Sequence, residues 1–388
     1  MSIYYRTSQY LKKRIFFFLE KINIRSLLLQ LGIFFLFGFF VSWIIHNTII
    51  NLTQLRITSG LGFLKMRAGI SIPDSFIPYS EDSSYTLALI SGLLNTILMS
   101  VFCIFTSSIL GLTIAFSRLS QNWLLQKLCM IYVEIFRNLP PLLIILFLYF
   151  GILQEILPPV QKSLSLPFHI YINQRGIYCP ALHFQKIWLW SSSIICLSGF
   201  FIIRRIKNPF NQYILLLHLM ISLAFIVWLF YHDTFLELPK LETFNITGGR
   251  NISLEFLALF LSLSLYTSAL ISETIRTGIE GVNNSLKETG LSLGLAPGLV
   301  MRLITMPLAL RIIIPPLTSQ YVNLIKNTSL GIAIGYSELM RISNTVLNQT
   351  NQSLAVVIIW MGSYLSLSLI VSTVMNWLNK TTLRGHGH

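Results

Sequence analysis

Long apolar stretches are the feature of this sequence that most limits its fold. A helix needs about 20 apolar residues to cross the roughly 30 Å hydrocarbon core of a bilayer. Eight segments reach that length, at about 27–48, 88–116, 139–157, 187–203, 212–231, 252–274, 313–337 and 354–376. Because 54% of the 388 residues are hydrophobic and only 11% are charged, the composition excludes both a soluble enzyme and a disordered chain. The sequence therefore predicts an all-α, polytopic transmembrane bundle of about eight spans.

The distribution of basic residues predicts the orientation of these spans. With the N-terminus in the cytoplasm, the inner segments hold 18 Lys and Arg residues and the outer segments hold 9, while Lys326 lies inside a span. This asymmetry follows the positive-inside rule, and an even number of spans then places both termini in the cytoplasm. Orientation in a bilayer explains the net charge of +14 better than binding to nucleic acid does. The first apolar run is too long for a signal peptide and has no small-residue cleavage site, so we expect a retained anchor.

The predicted spans divide the chain into three parts. Residues 1–87 form a cytoplasmic N-terminus, a first span and an external segment that is long enough to pack as a small cap. Residues 88–378 form the transmembrane domain, with an inserted pair of spans at about 187–231, and residues 379–388 form a cytoplasmic tail. We expect the first span and the inserted pair to be peripheral to a core of spans two, three, six, seven and eight.

The one long inner loop, at about 275–312, has the pattern of a short helix between two breaks. Apolar and polar residues alternate from Leu286 to Leu293, which favours a helix there. Gly294 then ends it, because a left-handed terminating residue is best tolerated without a Cβ atom. Pro297 begins the next helix at its first turn, where a missing N–H costs nothing.

Three further prolines follow in the same region of the chain. Pro307 and the pair Pro315 and Pro316 are predicted to break the chain again at the membrane boundary, since proline removes a helical hydrogen bond. The expected product is a short helix that lies across the cytoplasmic face.

This inner loop resembles a known family. Glu288, Thr289 and Gly290, followed by Gly294, Ile304 and Pro307, have the spacing of the EAA motif in binding-protein-dependent ABC importer permeases. The stretches YVEIFRNLPPLL, YTSALISETIRTGIEGV and PPLTSQYVNLIKNTSLGIAIGYSEL are similar to the polar amino-acid branch of that family. The external SFIPYSEDSSY and the inserted spans resemble its general L-amino-acid subclass. Thr289 and Gly290 replace the two alanines of the motif, and Ile144 stands where related permeases often carry Gln.

The resemblance implies a permease subunit of an ATP-driven importer in the bacterial cytoplasmic (inner) membrane. Its partners would be a second, homologous but different permease chain, two ATP-binding subunits and an external amino-acid-binding protein. The inner loop 285–307 would couple to the ATPase through Glu288, Thr289, Gly290, Leu291, Gly294, Ile304 and Pro307. The chain itself would be no enzyme, since it lacks a phosphate-binding loop and ATP hydrolysis would reside in the partner. For Glu288, complementing the helix dipole is an alternative to docking.

Two acid–base pairs and a polar stripe are the other candidate functional residues. Glu134 with Arg137, and Glu273 with Arg276, share helix faces at a spacing of three. We interpret them as interfacial ion pairs, with a cytoplasmic gate as the alternative. In span seven, five polar residues fall within an arc of about 120°: Ser319, Gln320, Asn323, Lys326 and Asn327. Lys326 would either attract an amino-acid carboxylate in a transport pathway or be tied to neighbouring helix carbonyls.

No motif for catalysis, a metal or a cofactor accompanies these residues. The chain has no H-E-x-x-H, G-x-S-x-G or clustered Cys and His pattern, so we expect no catalytic site, no metal and no cofactor. The competing function is an ion-coupled secondary amino-acid transporter or channel. Such proteins commonly place acids deep in the bilayer, whereas the acids here lie near span ends.

Overall fold

The computed structural model describes residues 24–54, 60–184, 220, 234–242 and 245–384. The predicted spans four and five, at about 187–203 and 212–231, lie outside the described residues, as do the basic residues of the N-terminus up to position 21 and the end of the tail. Two compact units are present: one comprises the chain up to residue 61 with residues 350–355, and the other comprises the remainder.

Helices make up most of the described chain. In chain order they are α1 (Ile24–Gln54), α2 (Tyr85–Arg118), α3 (Trp123–Asn138), α4 (Pro141–Leu146), α5 (Gln154–Ile156), α6 (Leu254–Glu280), α7 (Asn284–Ser292), α8 (Pro297–Val300), α9 (Met306–Asn327), α10 (Leu339–Thr350) and α11 (Ser353–Arg384). Two π-helical segments, Phe147–Leu153 and Met301–Thr305, join α4 to α5 and α8 to α9. A 3-10 segment, Thr328–Ile334, extends α9.

Among the described residues, five helices are long and apolar enough to cross a membrane, and a bent pair adds a sixth candidate. The five are Leu28–Asn51, Tyr85–Arg118, Leu254–Glu280, Pro297–Ile334 and Ser353–Thr381. The hydropathy prediction is confirmed for these spans, although the seventh predicted span begins at Pro297 rather than near residue 313.

The third predicted span is different, because α3 precedes it at an angle of 107°. The bend falls at Leu139 and Pro140, whose ψ angles of 136° and 134° are extended. A residue before proline is pushed out of the helical region, so two consecutive prolines make this break sharp.

The prediction that Pro307, Pro315 and Pro316 break the chain is wrong. Pro307 lies in the first turn of α9, after a π turn in which Met306 N–H donates to Met301 O. This wider turn leaves room for the proline ring. Pro315 and Pro316 lie inside α9, where membrane helices tolerate proline when neighbours hold the flanking turns.

The centre of the larger unit is the contact of α2 with α6. Its inner part is an apolar cluster that includes Ala115, Ile271 and Ile275, which α9 completes with Ala309 and Ile313. A second cluster lies toward the N-terminal end of α6, and it comprises Met99, Cys103, Ile145, Tyr149, Leu254, Ala258, Leu259, Leu263, Leu324, Ile334 and Tyr336.

Short strands, which the search for long apolar runs did not predict, form in the external segments. They are β1 (Leu164–Leu166), β2 (Ile170–Asn173), β3 (Gly176–Cys179), β4 (Ala181–Phe184), β5 (Thr234–Glu237), β6 (Lys240–Leu241), β7 (Ile246–Thr247) and β8 (Arg250–Ser253). The order β1-β2-β3-β8 gives one antiparallel four-stranded sheet, and β4-β5 and β6-β7 pair separately. Strands of two to four residues leave too weak an alternation to be recognised from the sequence.

We predict that Gly111→Val lowers the stability of the chain. A Cβ atom at Gly111 would lie 2.7 Å from Ile271 Cγ2 and 3.0 Å from Ser268 O, so α2 and α6 would have to separate. Overpacking of this kind typically costs about 1–3 kcal/mol. Thermal unfolding in detergent should show the loss as a lower melting temperature.

Gly362→Val is the matched control, because nothing lies within 4 Å of a Cβ atom at Gly362. An equal drop in both variants would contradict the close α2–α6 approach as the cause.

Candidate functional site

The inner-loop helix α7 ends where its sequence predicts, and its first residue follows an asparagine cap that sequence analysis did not identify. The Asn283 side chain caps it by accepting a hydrogen bond from Ser285 N–H at 3.0 Å. At the other end Gly294 has φ +82°, and Gly294 N–H donates to Leu291 O while Leu295 N–H donates to Gly290 O. These bonds satisfy carbonyls that a helix end leaves open. The predicted short helix and its glycine stop are therefore confirmed.

A glycine clamps α7 against the start of the following membrane helix. Gly290 is buried, and a Cβ atom there would lie 2.7 Å from Ile304 Cδ1 and 3.1 Å from Val300 Cγ2. Lys287 Nζ donates to Ile279 O at 3.4 Å, which ties α7 to the end of α6. The small residue at position 290 thus sets the distance between α7 and the π-helical segment before α9.

Other side chains of α7 and the residue that follows it are open and partly apolar. Leu286, Leu291 and Leu293 are 46%, 48% and 77% exposed, and Glu288 is exposed beside them. Leu286 and Leu291 lie on this nine-residue helix and Leu293 directly follows it, so the segment exposes an apolar surface to water. Thr289 is exposed and donates to Ser285 O, whereas Ile304 and Pro307 are half-buried behind the helix.

Glu273 lies at the centre of a cluster of arginines near the inner ends of three helices. Its carboxylate is 2.6 Å from Arg118 on α2, 2.7 Å from Arg276 on α6 and 3.7 Å from Arg137 on α3. Arg276 also pairs with Glu280. The side chains of Glu273 and Arg118 are only 18% and 13% exposed, so water screens this contact weakly. The predicted Glu273–Arg276 pair is confirmed.

The expected pair of Glu134 with Arg137 does not form. Glu134 is exposed on α3, and no ion pair joins it to Arg137 within the described part of the chain. Arg137 instead turns toward Glu273, because a partly buried carboxylate attracts a cation more strongly than one in water. Sequence analysis missed Arg118, whose only sequence signal is its position at the end of an apolar run.

The polar stripe of α9 lies on the surface of this chain. Ser319, Asn323 and Lys326 are exposed, and Gln320 and Asn327 are half-buried, whereas Leu324 and Ile325 of the same turns are buried. In the described residues, no hydrogen bond or ion pair holds the Lys326 ammonium to this chain. The structural tie to neighbouring helix carbonyls is therefore not formed here, and the stripe faces outward.

A buried carboxylate organises the segment after this helix. Gly335, with φ +81°, turns the chain, and Glu338 then caps α10 by accepting bonds from Met340 N–H and Arg341 N–H. Tyr364 of α11 donates to the same carboxylate at 2.7 Å. Burial raises the pKa of Glu338 to about 7. This helix was predicted only as an outer connection.

A second tie joins the external segment before α2 to the start of α6. Ser253 caps α6 by accepting from Phe256 N–H, and its hydroxyl donates to Asp74 at 2.6 Å. Burial raises the pKa of Asp74. The outer ends of these elements are therefore held by hydrogen bonds, and the inner ends by the arginine cluster.

Comparisons with known proteins agree with this geometry. Residues 107–384 match the family described as "Binding-protein-dependent transport system inner membrane component". The chain is similar to the General L-amino acid transport system permease protein AapQ of Rhizobium johnstonii, with 44% identity over 92% of this chain and 91% of that protein.

Two further relatives match over most of their length. The Putative amino-acid ABC transporter permease protein YhdX of Escherichia coli is 40% identical over 88% of this chain and 89% of its own. The Glutamate/glutamine/aspartate/asparagine transport system permease protein BztB of Rhodobacter capsulatus is 33% identical over 92% of this chain and 93% of its own.

We predict that Glu273→Gln destabilises the larger unit. The change leaves three guanidinium groups close together without the carboxylate that neutralises them, and removing one partner of a buried pair costs about 3 kcal/mol. Because Arg137 is partly exposed to water, we expect the free energy of unfolding to fall by that amount or less. Thermal unfolding of the purified chain should detect it.

Glu134→Gln is the control, because it makes the same chemical change at an exposed carboxylate of α3. If the two variants unfold at the same temperature as the parent, Glu273 does not hold the three helices together.

Proposed function

Because this chain belongs to the family of binding-protein-dependent transport system inner membrane components, we propose that it is the permease subunit of an ATP-driven ABC importer for amino acids. The printed names of three relatives that match nearly the whole chain support an amino-acid cargo. As a permease the chain is no enzyme, and it crosses the inner membrane several times. We further propose that both termini are cytoplasmic, since the basic residues then follow the positive-inside rule.

The observation that carries the mechanism is helix α7, which is packed through Gly290 and leaves Glu288 and several leucines exposed. We propose that Glu288, Leu291 and the neighbouring leucines dock into a groove of the partner ATPase. Gly290 and Ile304 would then transmit a displacement of α7 to α9, because packed side chains in close contact move together. The ATPase would supply the energy, and a displacement of α7 by the ATPase would move the membrane helices that pack against it.

A second permease chain is the partner that the α9 stripe requires. A charged residue that faced hydrocarbon would cost about 2.5–3.5 kcal/mol on insertion scales. Lys326 and Asn323 would avoid that cost by facing a pathway between two permease chains. The full assembly would contain a homologous second permease, two ATP-binding subunits and an external amino-acid-binding protein.

The ion-coupled alternative has less support. Family membership points to ATP as the energy source, and the most central acids are already engaged. Glu273 is bound by three arginines and Glu338 by two backbone amides and a tyrosine. Uptake into vesicles with and without ATP and the binding protein separates the two functions. Uptake that follows an ion gradient and ignores ATP would overturn the proposal.

We predict that Gly294→Val uncouples ATP hydrolysis from transport. A side chain at φ +82° costs roughly 1–2 kcal/mol, so the end of α7 should unwind or reorient. The expected result is normal membrane insertion with loss of ATP-dependent uptake, measured in vesicles that contain the complete transporter.

Gly298→Val is the matched control, since Gly298 is equally open to solvent and has no positive φ. It should keep most of the uptake. Failure of cysteines at and around Leu291 to crosslink to the ATPase in the assembled complex would contradict docking through α7.

We predict that Lys326→Met depresses amino-acid uptake but leaves assembly and basal ATP hydrolysis near normal. The ammonium is exposed on the stripe, so its loss removes a charge from the pathway without opening a cavity in the core. Lys127→Met, on the exposed surface of α3, should leave uptake unchanged. A Lys326→Met variant that fails to assemble, or that transports as well as the parent, would rule out a pathway role.

A further inference from the structure

One face of the external four-stranded sheet carries mostly aliphatic side chains. Cross-strand partners in an antiparallel sheet project to the same face. Leu164 and Leu166 of β1 pair with Ile172 and Ile170 of β2, and Ile177 of β3 pairs with Ile172 on one side and Ile252 of β8 on the other. We call the aliphatic part of this surface the aliphatic face, and its members are Leu164, Leu166, Ile170, Ile172, Ile177 and Ile252. Cys179 and Arg250 pair on the same side of the sheet at the far end of β3 and β8, where the Arg250 guanidinium lies 4.6 Å from the centre of the Phe76 ring.

The small core of the sheet lies on the opposite face. Tyr171 and Tyr178 pair with each other there, and they pack with Val160 and Ile246. Alternation along a strand therefore assigns one face to the protein interior and the other to the surroundings. Leu164 and Leu166 are 54% and 47% exposed, and the four isoleucines of the aliphatic face are half-buried.

The turn between β1 and β2 continues this apolar surface. Phe168 at its tip is 84% exposed and has φ +66°, a conformation that bulky residues rarely adopt. This residue presents a large aromatic ring beyond the sheet, next to Leu166.

The sheet is tied to membrane helices at both of its edges. Ser253, the last residue of β8, is also the cap of α6, so no linker separates the sheet from that span. At the other edge, β1 begins at Leu164, shortly after α5 ends at Ile156. Strands β4 and β5 lead into and out of the segment that carries the predicted inserted spans. These connections hold the sheet at the outer surface of the bilayer.

We propose that the aliphatic face rests on the outer leaflet of the membrane and inserts its side chains among the lipids. An apolar surface of this extent marks a contact with a membrane or with another protein. A binding protein that arrives and leaves would expose the face to water between visits, whereas lipid covers it throughout. This inference needs the chain to span a membrane in the proposed orientation, and it does not depend on the proposed transport function.

The depth of insertion is limited by the backbone of β1. This strand is at the edge of the sheet, and unpaired edge N–H and C=O groups are not tolerated in hydrocarbon. The strands therefore stay at the level of the headgroups, and only the leucines, isoleucines and Phe168 reach the acyl chains. Lys162 precedes β1 and His169 follows Phe168, so basic groups flank the inserted residues and lie close to lipid phosphates.

Spin-label accessibility tests this proposal directly. A single cysteine at Leu166 is labelled with a nitroxide, after the native cysteines are replaced, in the complete transporter in nanodiscs of phosphatidylethanolamine and phosphatidylglycerol. Oxygen concentrates in lipid, whereas the nickel chelate stays in water. The ratio of spin relaxation by oxygen to spin relaxation by the nickel chelate should therefore be several-fold higher at Leu166 than at Ser165. Ser165 is the matched control because it is the adjacent exposed residue of β1 on the other face.

A second nitroxide label, at the almost fully exposed Phe168, shows whether the result at Leu166 reflects a local effect of that substitution. Oxygen should also relax this label more effectively than the nickel chelate does. Preferential access of the nickel chelate at both sites means a water-facing surface and overturns the proposal. Exclusion of both reagents at both sites means that a partner protein covers the face, which also overturns it.

Discussion

The close approach of α2 and α6 is the contact on which the rest of the larger unit depends. It is possible only because Gly111 leaves room for Ile271 and for the backbone at Ser268. Once the two helices touch there, Arg118 at the end of α2 falls within hydrogen-bonding distance of Glu273. The outer end of α6 meets β8 and Asp74 through Ser253. The same helix therefore connects the external sheet, the apolar core and the charged cluster.

Helices α6, α7 and α9 pack closely enough that a displacement of one is transmitted to the others. The side chain of Ile313 on α9 packs against the backbone of Gly278 on α6, and the side chain of Ile304, just before α9, packs against the backbone of Gly290 on α7. Such contacts leave little free volume to absorb a displacement. The arginine cluster adds ion pairs between helices, since the Glu273 carboxylate on α6 contacts Arg118 on α2 and Arg137 on α3. A push on α7 would reach these helices through the same few contacts.

Hydropathy and local signals predict the membrane helices and α7 well, since both depend on neighbouring residues. Gly294 and Pro297 act within one or two turns, and the structure places both as expected. The Arg118–Glu273 contact joins residues 155 positions apart, so one sequence holds no sign of it. The carboxylate of Glu338 is unrecognisable for a similar reason, because Tyr364 and the turn at Gly335 are needed to give it a role. Prolines 315 and 316 were misinterpreted because their tolerance depends on the packing of α9 against α6.

Three exposed surfaces of this chain indicate which surroundings each of them requires. Apolar leucines of α7, polar residues of the α9 stripe and the aliphatic face of the sheet call for three different environments: a protein groove, an aqueous pathway between chains and lipid. For α7 and the stripe, the proposed environment differs in polarity from the one that a single chain meets in a bilayer, because α7 lies outside the candidate spans and the stripe lies within one. Covering these two surfaces with the proposed partners would contribute favourable free energy to assembly, whereas the aliphatic face needs only the membrane.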